Sequence, residues 1–425
     1  MKSYGYNDGM EKEFARRADV ARILKARNNH LIKVVTGLRK VGKSYLLSTL
    51  FQRELKKQGF NPGHIVEVDF NLDENQALLN KSNLRAYIDS RIKEDEKYIL
   101  ILDEIQEVDG FEKLLLSYNT KPNIDLYVTG NNSHNLSSDI DTLLSGSDDQ
   151  IRLYPIGFDE FLENSSLDPE SALTEYLKYG GMPLALKTDG DEEKERYLAN
   201  LFATTYIKDI EQRHVIRNKP AFELLCDILS SDIGSLTNPT NIENTFKSHH
   251  YSLTNDTIAN YISYLCDAFL FEECRRYDVK GKQYISTPVK YYCGDLGIRN
   301  ARLSMREIEY QYLMENAIYL ELKRRGCKVD VGVVPLEVVA DGKRTYRYYE
   351  IDFVVNKGNR KVYIQVTMDL SSPGKLEQET KSLDNTHDHF DKIIVLREPG
   401  HKGEFNDKGY FIISLKDFLL DKSII

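Results

Sequence analysis

Thr36-Gly-Leu-Arg-Lys-Val-Gly-Lys-Ser44 follows the apolar run Leu31-Ile-Lys-Val-Val35 and precedes apolar residues at Tyr45, Leu46, Leu47, Leu50, Phe51 and Leu55. Gly37 to Ser44 fit the pattern G-x-x-x-x-G-K-[ST], in the strand–loop–helix setting that the pattern requires. Lacking a Cβ, Gly37 and Gly42 let the backbone wrap a phosphate closely. The N–H groups of Leu38, Arg39, Lys40 and Val41 then turn inward at the positive end of the following helix. Lys43 is placed to reach the β- and γ-phosphates, and the Ser44 hydroxyl to complete a magnesium shell. The stretch predicts a P-loop that binds ATP, with Mg2+ as its companion ion.

A second motif supports the first. Tyr98-Ile-Leu-Ile-Leu102 is an unbroken apolar run, as expected of a strand buried on both faces of a parallel sheet, and it ends in Asp103 and Glu104. Ligands sit at that end of such sheets. Asp103 is the candidate magnesium holder, and Glu104 the residue that polarises the attacking water. A third strand, Asp125-Leu-Tyr-Val-Thr-Gly130, leads into Asn131-Asn132. Asn132 is the candidate sensor of the γ-phosphate, although Asn-Asn is also common turn chemistry.

Further along, apolar residues spaced at three and four through Leu173 to Leu177 and Tyr197 to Ile207 predict a helical lid. From Ala221 the pattern gives a helix, a Ser/Thr/Asn-rich interval and a second helix near Asn255. Two extended stretches, Leu270–Tyr277 and Gln283–Ser286, then flank a tip with Lys280, Gly281 and Lys282. This order looks like a winged helix, with Arg275, Arg276, Lys280 and Lys282 as candidate DNA contacts. Lysines at hairpin tips also serve solubility alone.

Several of these motifs together resemble a known family: prokaryotic AAA-type ATP-binding proteins with a P-loop domain, a winged helix and a C-terminal domain of uncharacterised function. The resemblance rests on Val35–Ser44, Leu102–Val108, Thr129–Ser133, Leu153–Phe161, Tyr179-Gly-Gly-Met-Pro183 and Lys290–Ala301. It implies an α/β fold with a P-loop parallel sheet at 1–162, a helical lid at 163–218 and a winged-helix-like domain at 219–301. Members usually carry Gly-Arg where this chain has Gly146-Ser147. If that arginine stabilises the γ-phosphate, its loss slows hydrolysis by on the order of 10³-fold. Arg152 and Arg213 are the candidate substitutes.

Residues 302–425 are similar to the restriction-endonuclease-like core: a helix containing Glu315, then strands at Lys328–Val334, Tyr346–Val355, Lys361–Thr367, Lys392–Leu396 and Tyr410–Ser414. In such nucleases an aspartate on one strand and Glu/Gln-x-Lys on the next hold magnesium and activate water. Strand alternation puts Asp352 with Glu350, and Gln365 with Thr367. Glu315, Asp352 and Gln365 therefore outline a degenerate nuclease site, because Thr367 stands where the lysine belongs and cannot supply a positive charge. Lys381 is the candidate migrated lysine.

The chain has 425 residues and a formal net charge of −9, which argues against a surface coated for nucleic acid but allows a local basic patch. The five cysteines are odd in number and include no C-x-x-C pair, so reduced core packing in a cytoplasmic protein is expected. Neither a signal peptide nor a bilayer-length apolar run is present, so no membrane partner is expected. The leading expectation is a slow magnesium-dependent ATPase switch acting on DNA or a DNA-associated protein complex. Because AAA-type sites often lie between protomers, it includes a homo-oligomer. The alternatives are an ATP-binding scaffold with little turnover and an ATP-gated nuclease.

Overall fold

A computed structural model describes residues 13–93, 95–130, 148–306, 308–340, 343–370 and 374–425. Among them, β1 (Ile32–Thr36), β2 (Ile65–Asp69), β3 (Tyr98–Asp103), β4 (Ile124–Thr129) and β5 (Asp148–Arg152) form a parallel sheet in the order β2-β3-β4-β1-β5. β1 and β3 are buried along their whole length, which is why both read as continuous apolar runs. Alternation sends Ile99 and Ile101 towards Leu46, Leu47 and Phe51 of the helix after the P-loop. Leu100 and Leu102 point the other way, towards Leu84, Ile88, Leu114 and Leu115. Lys33 interrupts the apolar run of β1. Its buried ammonium pairs with Asp125 of β4 and donates to the Leu31 carbonyl at 2.8 Å.

The sheet order decides where the chemistry falls. Because β4 lies between β1 and β3, the C-terminal ends of the three strands bring the P-loop, Thr129 and Asp103 side by side.

Residues 163–218, read from the sequence as a lid, contain helices Pro169–Tyr179 and Asp191–Asn200. The second continues through a π-wound turn, Leu201–Ile207, into Lys208–Arg213. Beyond it, three helices precede the hairpin: Lys219–Ser231, Pro239–Ser248 and Asn255–Asp267. The middle one occupies the interval that reads as polar. Asn238 caps it by accepting from the Asn241 N–H, Pro239 starts it, and Ile242 and Phe246 are its buried side chains.

Strands β6 (Phe271–Asp278) and β7 (Gln283–Cys293) form the hairpin, and a bridge from Thr237 to Val289 ties it to the helices. β6 also pairs in parallel with β8 (Lys328–Ala340) at Arg276↔Val331, Tyr277↔Gly332 and Asp278↔Val333. The hairpin and the C-terminal segment thus share one mixed sheet. With β9 (Lys343–Lys357), β10 (Arg360–Thr367), β11 (Asp391–Leu396), β12 (Lys402–Phe405) and β13 (Phe411–Ser414), its order is β12-β13-β11-β10-β9-β8-β6-β7. Helix Tyr310–Arg324 packs against it with Leu313, Met314, Ala317 and Ile318 buried, and helix Lys375–Asp384 contributes Leu383 to the second core.

Candidate nucleotide site

Two glycines shape the loop after β1. A Cβ on Gly37, at φ 143°, would stand 2.3 Å from the Leu153 carbonyl oxygen, and Gly42 sits at φ 103°. Both angles favour glycine. The Lys43 ammonium is buried and donates to the carbonyls of Gly37 at 3.0 Å and Leu38 at 3.2 Å. Burial pushes it down to about 8, against the pull of Glu104 and Asp103.

The Asp103 carboxylate accepts hydrogen bonds from the hydroxyls of Ser44 and Thr129. Burial pushes its carboxyl up, and those two bonds oppose the rise. Thr129 also accepts the Glu104 backbone N–H at 2.9 Å. Glu104 is held in the left-handed region at φ 58°, ψ 45°, uncommon for a residue with a side chain. Its carboxylate takes the Gln106 amide at 2.6 Å, and Gln106 Oε1 is buried and makes no hydrogen bond among the described residues. Thr129 was not singled out in the sequence, and the readable signal was a hydroxyl at the end of the central strand. The candidate sensor Asn132 and the departure at Ser147 lie outside the described residues.

Helical residues 201–213 reach the loop through charge. Arg39 pairs with Asp209 at 2.9 Å, Arg213 reaches the same Asp209 oxygen at 3.0 Å, and the Tyr206 hydroxyl donates to the Arg39 carbonyl at 2.9 Å. Arg39 and Arg213 both bear on the Lys43 charge. Arg152 is engaged elsewhere, pairing with Glu272 at 2.7 Å with its guanidinium 3.8 Å from the Phe269 ring centre. Beside Gly42 lies a cavity of about 250 Å³, lined by Phe14, Val41, Tyr45, Ile156, Leu184 and Tyr197 among others. Arg16, which the sequence reading passed over, closes its floor by donating to the carbonyls of Tyr154 at 2.5 Å and Val41 at 2.7 Å.

The cavity wall is wired to the second sheet. The loop Gly180-Gly181 just before Pro183 and Leu184 is clamped by Asp295, two residues beyond β7. Asp295 accepts from the N–H groups of Gly181 at 2.7 Å and Ile298 at 3.0 Å. A Cβ on Gly297 would meet the Tyr179 carbonyl oxygen at 2.0 Å, so the approach needs glycine there. Asn300 adds bonds to the carbonyls of Leu177 at 3.0 Å and Lys178 at 2.8 Å.

The remaining sequence-selected residues fall into two groups. At the hairpin, Arg275 is exposed and pairs with Glu273 at 3.4 Å, while Lys280 turns back to the Pro335 carbonyl of β8 at 3.0 Å. Arg276 lies within β6 and Lys282 at the tip, at φ 54°. In the second sheet, Glu315 and Asp352 share a buried pocket, and Gln365 lines the adjoining cavity with Glu350. Lys381 is 4.9 Å from the Tyr349 ring centre, and the Thr367 hydroxyl donates to the Asp369 carbonyl at 3.4 Å. The lysine that meets the carboxylates is Lys290 of β7.

Comparison with known proteins places this geometry. An AAA domain family matches residues 29–162, and a domain of unknown function matches residues 170–309. An uncharacterized protein of Haemophilus influenzae is 31% identical over 404 residues, spanning 94% of this chain and 96% of that protein. The chain belongs to that protein's family. An uncharacterized protein of Methanocaldococcus jannaschii is 28% identical over 411 residues, covering 91% of this chain and 85% of its own. A solved Walker-type ATPase of Pyrococcus abyssi shares the fold, with a TM-score of 0.52 at 13% identity, over 71% of this chain and 99% of that one. The family member described here thus matches an AAA domain at residues 29–162, shares the fold of a P-loop ATPase and carries a second mixed sheet. Among its described residues no helix is long and apolar enough to cross a membrane.

Proposed function

We propose that the protein is a magnesium-dependent ATPase working as a slow nucleotide-driven switch on DNA or a DNA-associated protein complex. The carrying observation is the contact of the Ser44 hydroxyl with the Asp103 carboxylate, with Glu104 turned towards the same space by its left-handed backbone. A hydroxyl beside a carboxylate is the hard-oxygen donor set that magnesium takes, and Lys43 at the mouth of the glycine cradle answers phosphate charge. Mg2+, when bound, would supply charge neutralisation to the phosphates. Ser44 and Asp103 would hold it, Lys43 and the loop N–H groups would orient the phosphates, and Glu104 would accept a proton from water. The apolar cavity lined by Phe14, Tyr45 and Tyr197 takes the base.

Slow turnover is supported by the engagement of Arg152 with Glu272 and Phe269. Arg213, paired with Asp209, bears on the Lys43 charge and is the remaining candidate within the chain. The partner side is supported by the three helices and hairpin of residues 219–293, an order suited to a winged helix. The Asp295 clamp gives nucleotide state a route to that hairpin.

The test is steady-state ATP hydrolysis by the wild type and Glu104→Gln across a protein concentration series, with and without duplex DNA. Turnover lost in Glu104→Gln while nucleotide still binds is the expected result, and stimulation by DNA assigns the partner. A rise in specific activity with concentration marks a homo-oligomer. Binding without turnover in the wild type replaces the ATPase with a nucleotide-binding scaffold.

A further inference from the structure

The carboxylate pocket of the second sheet combines residues from three elements, and a lysine fills it. Lys290 of β7 donates to Glu315 of helix Tyr310–Arg324 at 2.8 Å and pairs with Glu350 of β9 at 2.7 Å. The Tyr292 hydroxyl donates to the same Glu315 oxygen at 2.5 Å, and Asp352 accepts the Val366 N–H at 2.7 Å. The Lys290 side chain is 4% exposed and that of Glu315 9%. Two buried carboxylates, Glu315 and Asp352, with the partly exposed Glu350 beside them, need a compensating cation. The ammonium supplies it, bridging two of them as a divalent ion would. Gly234 closes the pocket on the far side, where even a Cβ would stand 3.1 Å from Glu315 Oε1. Among the described residues no three His, Cys, Asp or Glu side chains are set to hold a metal ion. One ligand-grade atom is nevertheless waiting: Gln365 Oε1, buried and without a hydrogen bond among the described residues, on the cavity it shares with Glu350.

We propose that Lys290 is a tethered internal cation standing in for a divalent metal in the Glu315, Glu350 and Asp352 pocket, so that removing its ammonium turns the pocket into a metal site. The consequence for the native protein is a nuclease-like scaffold that binds no divalent ion there and does not cut nucleic acid by metal-assisted chemistry. The inference is independent of the ATPase reading.

The experiment uses the full chain carrying Asp103→Asn, which removes the carboxylate at the P-loop, without nucleotide and with Mn2+ as the probe. Bound metal is counted by electron paramagnetic resonance, and melting temperature is followed in parallel. The Asp103→Asn parent is expected to bind no Mn2+ and to melt independently of it. Adding Lys290→Ala is expected to create one Mn2+ site, to lower the melting temperature in metal-free buffer and to make it rise with Mn2+. Adding Glu315→Gln to that variant weakens the new site about tenfold or more. Should Lys290→Ala fail to fold, Mn2+ in the refolding buffer is expected to restore it, and the milder Lys290→Gln gives a second opportunity to detect the site. One equivalent of Mn2+ on the parent that Glu315→Gln abolishes overturns the inference, because Lys290 then accompanies a metal. Failure of both lysine variants to gain a Mn2+ site overturns it equally.

Discussion

Two of the buried lysines beside carboxylates, Lys43 and Lys290, are treated in opposite ways. Lys43 donates to backbone carbonyls of its own loop while Asp103 and Glu104 stand close by. Burial is the larger influence and holds it down to about 8. Lys290 sits directly on Glu315 and Glu350. Burial works against its charge too, but the surrounding carboxylates outweigh it and push it up. At Lys43 burial dominates over the nearby carboxylates, whereas Lys290 is locked between carboxylates that outweigh burial. The same residue type thus sits in a glycine loop beside one sheet and in a carboxylate pocket of the other.

Predictions follow that contrast. Glu104→Gln is expected to lower the rate of ATP hydrolysis by about 10²–10⁴-fold with nucleotide affinity largely kept, as for loss of a positioned proton acceptor. Equal loss of binding and rate would instead give Glu104 a structural part. Lys290→Ala is expected to destabilise the metal-free chain by about 3–5 kcal/mol, because the buried Glu315 and the partly exposed Glu350 lose their partner. Chemical denaturation of the single variant and of Lys290→Met with Glu315→Leu separates the cases: the double variant should recover most of that loss, and equal losses would remove the charge argument.

Nucleotide affinity should depend on pH through Lys43. Its free-state value is about 8, and a bound phosphate raises it. Affinity is therefore full below pH 7 and falls as pH rises through 8, by up to about tenfold per unit until the bound-state value is reached. Calorimetry in buffers of different ionisation heat should register proton uptake near pH 8; zero uptake would contradict the depressed ammonium. The smallest effect belongs to Tyr206→Phe, which removes one hydrogen bond from lid to loop and is expected to cost about 0.5–1.5 kcal/mol of nucleotide affinity.

Much of the first sheet was legible in the sequence because its motif is local. A glycine loop, a buried strand and two terminal carboxylates lie in short continuous stretches, and the strand order only had to bring them together. Thr129 escaped because its importance comes from β4 lying between β1 and β3, a fact of topology. Helix Pro239–Ser248 escaped because only Ile242 and Phe246 mark its apolar side, a pattern too sparse to outweigh the polar residues around it. The strands around Asp352 and Gln365 were readable from alternation. Lys290 was not, because nothing in Pro-Val-Lys-Tyr-Tyr announces that its partners will arrive from a helix and a strand further along the chain. Lys381 is near in sequence to the expected position, while the fold supplies a lysine from the opposite direction.

The pairing of β6 with β8 has a mechanical consequence. Because the hairpin is stitched into the C-terminal sheet by backbone hydrogen bonds, it cannot swivel alone. A shift passed through Asp295 into β7 must tilt a slab whose far edge, β12, lies seven strand spacings away, roughly 34 Å at about 4.8 Å each. A rotation of about 5° at the hairpin would sweep that edge through roughly 3 Å. Phe405, exposed beside that far edge, stands at the end of the long arm of such a tilt.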